Sequence, residues 1–358
     1  MSKRIILACS IINYGGVGKM ICYVASILLA KGWKVMVISL MHEQRPAFLH
    51  VDAEYLSLTV PRFKNVFLWR AEEIIKLRRT LKKLTPFIIC TFGSEPSVIV
   101  RIATLGMRKT TVVSAERSDP YTLPLLWKHL SSWAYKHSDF CVFQLDKQRD
   151  FYNELDKKKC FVIPNAFIPK GCNLPIIPEK LKVVISAGRF VYQKGFDTLI
   201  KAFAIVSERH PDYTLELYGG GDEQTYYNKI IEEQNLIGKV YLHDYVQNII
   251  PLIAKCKVFV LSSRFEGIPN VLIEAMSLGV PTVSTDCTPG GPAFLTNNGE
   301  RGLLVAVDDV HSMAEAICSI IENPELSDRL SVAGKEIINL LDEKVIAEKW
   351  IEMFSIIS

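Results

Sequence analysis

The sequence predicts an α/β protein built from two Rossmann-like parallel-sheet domains facing a central cleft. Three observations predict it. At 358 residues the chain exceeds one ordinary hydrophobic core, so two domains follow from length. Short β-like runs alternate with helical periodicity, the pattern of a parallel sheet covered on both faces. The rhythm stops in a turn-rich stretch near the middle and then starts again.

In the first half, residues 4–10 read as a strand, 18–30 as a helix and 34–40 as a second strand. Residues 87–91, 111–114 and 140–144 supply further strands. The stretch from Ile163 to Pro178 carries Pro164, Pro169, Gly171, Pro175 and Pro178, which suits a linker rather than an element. In the second half, strands fall at 181–187, 215–218, 240–242, 258–261 and 282–285. A helix over 195–208 keeps Phe196, Leu199, Ile200 and Phe203 on one face. Further helices begin near Glu223 and Pro269, and the tail from Val310 is mainly helical. The expected domains are 1–168 and 169–340, with a terminal helix at 341–358 packing back toward the first.

The totals narrow the class. Hydrophobic residues at 49% and charged residues at 22% describe a folded protein, not a disordered one. No run reaches the roughly 18 apolar residues that span a bilayer. The apolar start, Ile5 to Ile12, gives way to Asn13-Tyr14-Gly15-Gly16 without a small-residue cleavage site and reads as a first buried strand. The nine cysteines are scattered, with no Cys-x-x-Cys pair, which points to a reducing cytoplasm and to no metal site. Charge is uneven: residues 1–172 hold 26 Lys and Arg against 13 Asp and Glu, so that half carries +13 within a total of +4. A half that basic faces something anionic, such as a membrane surface or a diphosphate-linked acceptor. Its basic residues are not interleaved with an aromatic platform, which argues against nucleic acid.

The most informative string runs Ser262-Ser263-Arg264-Phe265-Glu266-Gly267-Ile268-Pro269-Asn270 and on to Glu274. It leaves a strand, crosses a loop and enters a helix, with Pro269 suited to the first helical turn. Amides at a helix start attract anions and hydroxyl oxygens, and Gly267 lets a ligand approach the backbone. Glu266 and Glu274 then offer two carboxylates to one polyhydroxylated ligand.

This string resembles the Glu-x7-Glu signature of retaining glycosyltransferases of the GT-B fold, family GT4. Other segments fall in family order: Ile185-Ser186-Ala187-Gly188-Arg189-Phe190 with Gln193-Lys194-Gly195, then Tyr218-Gly219-Gly220-Gly221-Asp222, Ile163-Pro164-Asn165 and Gly302-Leu303-Leu304-Val305. The resemblance covers nearly the whole second half and, more weakly, the first. It implies an N-terminal acceptor-binding domain and a C-terminal domain for a nucleotide-sugar donor, with UDP as the nucleotide. Arg189 and Lys194 would neutralise the departing diphosphate, which makes a metal unnecessary. Glu266 would contact the transferred sugar and Glu274 the ribose hydroxyls. Gly188, Gly267, Ile268, Pro269 and Asn270 would line the donor, with the stretch His243 to Val246 near the base. The implied product is a surface polysaccharide, and the acceptor a glycan or polyprenyl-diphosphate-linked glycan. A UDP-sugar epimerase of the same fold and a non-catalytic nucleotide-sugar binding subunit remain the alternatives.

In the first half, Gly15-Gly16-Val17-Gly18 joins strand to helix where a backbone can approach phosphate or sugar. With Lys19 it imitates a P-loop, but Asn13 replaces the first glycine and Met20 the magnesium-binding hydroxyl. In the resemblance, Gly15 and Gly16 belong to the family's glycine-rich loop. Ser114-Ala115-Glu116-Arg117-Ser118-Asp119-Pro120 resembles the Glu-Arg-Asn-Asp-Pro segment of bacterial surface-polysaccharide transferases, with Ser118 in place of asparagine. Glu116 and Arg117 are therefore expected to contact acceptor or sugar, or to form a salt-bridged loop. Residues 70–84 form a basic amphipathic helix whose apolar stripe is core or, with the +13 half, a peripheral contact on the cytoplasmic face of an anionic membrane.

Overall fold

The computed structural model describes residues 3–12, 16–41, 44–46, 49–58, 66–168 and 180–357, with only the backbone of residues 66 and 67. The chain divides into two compact units, Met1–Ala166 with Glu343–Ser358, and Phe167–Asp342. The expected boundaries, 168/169 and 340/341, each lie two residues from these divisions.

The first unit holds seven parallel strands: β1 (Arg4–Cys9), β2 (Lys34–Ser39), β3 (Glu54–Ser57), β4 (Ile88–Phe92), β5 (Thr111–Ala115), β6 (Phe140–Phe143) and β7 (Cys160–Val162). Their order is β3-β2-β1-β4-β5-β6-β7, so the chain winds outward from β1 in one direction and then returns to wind the other way from β4. The second unit repeats the plan with six parallel strands: β8 (Leu181–Arg189), β9 (Thr214–Gly220), β10 (Val240–His243), β11 (Cys256–Leu261), β12 (Thr282–Thr285) and β13 (Leu303–Val305). Here the order is β10-β9-β8-β11-β12-β13, and the reversal falls between β8 and β11. Ligands of open α/β sheets settle outside the carboxyl ends of the strands at such a reversal.

Both sheets are covered by helices whose apolar stripes form the cores. In the second unit Phe190, Phe196 and Tyr227 are fully buried and meet edge to face, with ring centroids 5.6–5.9 Å apart. In the first unit the helix Val66–Leu84 sends Leu77 and Leu81 into the core beside Ile74 and Leu84. The apolar stripe of the basic helix is therefore core. The helix Glu343–Ile356 closes this unit, with Trp350 and Phe354 fully buried and Tyr23 donating its hydroxyl to the Glu343 carbonyl. Among the described residues no helix is long and apolar enough to cross a membrane.

Candidate functional site

The crevice between β8 and β11 is built first by backbone. Strand β8 pairs with β9 as far as Gly188 with Gly219 and Arg189 with Gly220. A Cβ on Gly219 would lie 1.8 Å from the Gly188 carbonyl oxygen, so only glycine permits this approach. The chain then turns through Tyr192–Lys194 into the helix Phe196–Arg209. The turn ends on Gly195, at φ 60° and ψ 29°, where a side chain would also strike the Ser262 carbonyl oxygen at 2.2 Å. That contact ties the β8 turn to the loop leaving β11.

The two loops are stitched by hydrogen bonds. The Arg264 amide donates to the Gln193 carbonyl at 2.8 Å, the Gln193 side chain to the Phe265 carbonyl at 3.0 Å, and the Ser262 hydroxyl to the Lys194 carbonyl at 2.8 Å. The third wall is the loop after β12, where the Thr288 carbonyl accepts from the Glu266 amide at 2.9 Å. Beneath them Arg264 is clamped by Asp197 at 2.7 and 3.0 Å and by Asp308 at 2.8 and 3.1 Å, with its guanidinium 4.2 Å from the Tyr192 ring centroid. Burial alone would lower its pKa, but the two carboxylates win and hold it above the ordinary arginine value. Arg264 is thus a structural buttress.

Into this frame project the expected site residues. The Lys194 stem lies over Gly188, and its ammonium pairs with the Glu266 carboxylate, their side chains 14% and 11% exposed. The Ser263 hydroxyl donates to the same Glu266 oxygen at 3.1 Å. Arg189 at the strand end is exposed and reaches the Gln193 amide oxygen at 3.2 Å. Gly267, Ile268 and Pro269 are buried, and a Cβ on Gly291 would lie 1.6 Å from the Gly267 carbonyl oxygen. Pro269 is the N-cap, with extended backbone, of the helix Asn270–Ser277, one position earlier than expected. The amino end of that helix opens at the carboxyl end of β11, the favourable end of its dipole for an anion. Glu274 sits on this helix, half-buried.

Val246 is half-buried in the loop after β10. His243, at the start of the same expected stretch, has partners that the sequence does not name: its ring stacks on Tyr218, centroids 4.4 Å apart and planes at 16°, and its Nε2 meets the Glu216 carboxylate. The signal was present in the strand period, since Glu216 and Tyr218 share a face of β9 and His243 is the register partner of Tyr218.

The remaining expected residues lie in the first unit. Gly16 opens the helix Gly16–Ala30 after β1, and Gly15 lies outside the described residues. Glu116 is fully buried and accepts six hydrogen bonds: from the Arg117 amide at 2.9 Å, the Ser118 amide and hydroxyl at 3.1 and 2.8 Å, the Tyr135 and Tyr152 hydroxyls at 3.2 and 2.8 Å, and the Ser94 hydroxyl. Burial, and then the Glu116 charge, raises both phenols well above their ordinary pKa. Arg117 forms no salt bridge with it. Its guanidinium lies 5.1 and 5.6 Å from the Trp350 and Phe92 ring centroids and donates to the Ile163 carbonyl at 3.3 Å, and burial lowers its pKa to about 10. Both residues hold the first unit together from within.

Among the described residues one trio has the composition of a metal centre, His210, Cys318 and Glu322, with ligand atoms within 4.8 Å. Glu322 is already gripped by Arg209 at 2.8 and 2.9 Å and by His210 at 2.9 Å, an ion-pair cluster away from the crevice.

A family model described as "Glycosyl transferases group 1" matches residues 175–337. The chain is 34% identical over 179 residues to the lipopolysaccharide core biosynthesis glycosyltransferase LpsE of Rhizobium meliloti, a match covering 50% of this chain and 51% of that protein. It thus spans about half the length of that relative. It is 30% identical over 287 residues, 76% of each chain, to a diphospho-undecaprenol 4-alpha-N-acetylgalactosaminyltransferase of Campylobacter jejuni. Among solved structures, Anabaena HepE in complex with UDP and glucose superposes with a TM-score of 0.80 at 18% identity, covering 98% of this chain and 99% of that one. At that identity the likeness speaks for the fold, which is GT-B.

Proposed function

We propose, from the premise that this chain belongs to the group 1 glycosyl transferases, that it moves a hexose or N-acetylhexosamine from a UDP-sugar to a lipid-linked glycan with retention at the anomeric carbon. The observation that carries the proposal is the Lys194–Glu266 pair at the carboxyl ends of β8 and β11, beside Arg189 and the amino end of the helix Asn270–Ser277. The relatives named for lipopolysaccharide core synthesis and for a diphospho-undecaprenol acceptor support the choice of acceptor, and the UDP in HepE supports the nucleotide.

Arg189 meets the incoming diphosphate. Lys194 turns from Glu266 toward the phosphate oxygen on which charge develops as the sugar–oxygen bond breaks. Glu266, released from the ammonium and still held by Ser263, accepts from the sugar hydroxyls, and Glu274 accepts from the ribose. The Tyr218–His243 stack flanks the base. The acceptor hydroxyl forms its bond to the anomeric carbon on the face that the diphosphate leaves, and its proton passes to the departing phosphate oxygen. Two fixed cations supply the charge compensation, so transfer persists in EDTA. The +13 first half draws the enzyme to the anionic surface that carries the acceptor.

The test is a thermal-shift series with UDP-, GDP- and ADP-sugars, since a ligand of the folded state raises the melting temperature with occupancy. UDP-sugars are expected to raise it, and a shift with GDP- or ADP-sugars alone overturns the nucleotide. Lys194→Met is expected to lower transfer about a hundredfold. Full activity in that variant overturns the assignment of the site.

A further inference from the structure

We infer that the segment from Tyr121 to Trp127 is a shallow membrane anchor that seats the first unit on an anionic lipid surface. The inference deepens the reading above by locating the contact with the lipid that bears the acceptor.

Among the described residues of the first unit, Leu125 and Leu126 are consecutive exposed leucines beside an exposed Tyr121. Leu125 is 73% exposed, Leu126 59% and Tyr121 42%, with Trp127 half-buried beside them. They follow β5 through a single 3-10 turn, Pro120–Thr122, into the helix Leu125–Lys136. A helix that leads from one parallel strand to the next starts at the carboxyl end of the sheet, so the tip stands at the ligand end of this unit. It is also held firmly. The Tyr121 amide donates to Asp119 at 2.9 Å, its hydroxyl to the Lys147 carbonyl at 3.1 Å, and its ring meets Phe151 edge-on at 4.9 Å. The buried face of the helix is Ser131, Ala134 and Tyr135, which leaves Leu125 and Leu126 with no place in the core.

Charge names the occupant. The helix carries Lys128, His129 and Lys136 and no acidic residue; Lys136 at its far end pairs with Glu154, and Asp119 and Asp150 lie near Tyr121, so the attraction rests on Lys128 and on the net charge of +13 of this half. Exposed leucines flanked by Trp, Tyr and Lys form the composition that sits at a lipid headgroup boundary. The basic helix Val66–Leu84 buries Leu77 and Leu81 and exposes Leu68 and Ile75 two turns apart, two single apolar side chains rather than a contiguous tip. Its Arg79, Lys82 and Lys83 are exposed and add attraction to an anionic surface.

The test uses the full chain with vesicles of phosphatidylcholine alone or mixed with phosphatidylglycerol. The bound fraction is read by co-sedimentation over a lipid titration. Wild type is expected to bind the anionic vesicles, and the double variant Leu125→Ser, Leu126→Ser to bind them at least about tenfold more weakly. The variant should keep the melting temperature and the UDP-sugar shift of wild type. Failure of wild type to bind, or equal binding by the variant, overturns the anchor. A wild-type dimer that the variant dissolves, with unchanged vesicle binding, also overturns it and gives the tip to self-association. Vesicle binding is measured without donor or acceptor, so its outcome is independent of the transferase assignment.

Discussion

Lys194 and Glu266 are 72 residues apart in sequence and in contact in space, each nearly buried. Removing one charge strands the other where water cannot easily reach it. Lys194→Met and Glu266→Gln are each expected to destabilise the second unit by about 1–3 kcal/mol, measured by urea unfolding. The double variant should lose less than the sum, by about 1 kcal/mol or more, while its transfer activity stays as low as that of either single variant. Additive losses would mean that the pair does not act as a unit. The placement of these residues was legible in the sequence: an arginine and a lysine at a strand-to-turn junction, and an acid in a loop before a helix. Their pairing was not, because it depends on β8 and β11 being neighbours, and strand order is invisible to local pattern. Glu116 shows the opposite case. A charged residue after a strand suits a ligand contact or a salt-bridged loop, and neither expectation names the partners Tyr135, Tyr152 and Ser94 that arrive from elsewhere to enclose it.

At the scale of elements, the central strands announced themselves by apolar runs. The sequence reading passed over β3, β7 and β13, each of three or four residues and each at a sheet edge. An edge strand has one neighbour and partial cover, so it needs no apolar run; the four residues of β3 range from exposed to half-buried. The carboxyl end of β9 allows a sharp test of close approach. Gly219 has a carbonyl oxygen 1.8 Å from where its Cβ would stand, while adjacent Gly220 has nothing within 4 Å. Gly219→Ala is expected to destabilise the second unit by more than about 3 kcal/mol. Gly220→Ala should stay within about 0.5 kcal/mol of wild type. Thermal melts of the two variants, side by side, decide whether the backbone contact between β8 and β9 has the tightness described.

For the molecule as a whole, the telling feature is that the first unit is assembled from both flanks of the second. Trp350 on the helix Glu343–Ile356 is fully buried, its ring 6.1 Å from Phe92 and 5.1 Å from the Arg117 guanidinium. Trp350→Ala is expected to destabilise the first unit by about 3–5 kcal/mol. Hydrogen exchange should show lost protection in peptides from Met1–Ala166, with peptides from Phe167–Asp342 unchanged. Loss confined to the second unit would contradict this assignment. A terminal helix packing back toward the first unit is expected from the sequence, but the residues it covers are not. On the ribosome this architecture imposes an order. The sheet of the first unit emerges early, yet Phe92 and Trp33 wait uncovered while all of Phe167–Asp342 is made. The later unit is continuous and can mature first, so the nascent amino-terminal portion is the one that calls for a chaperone.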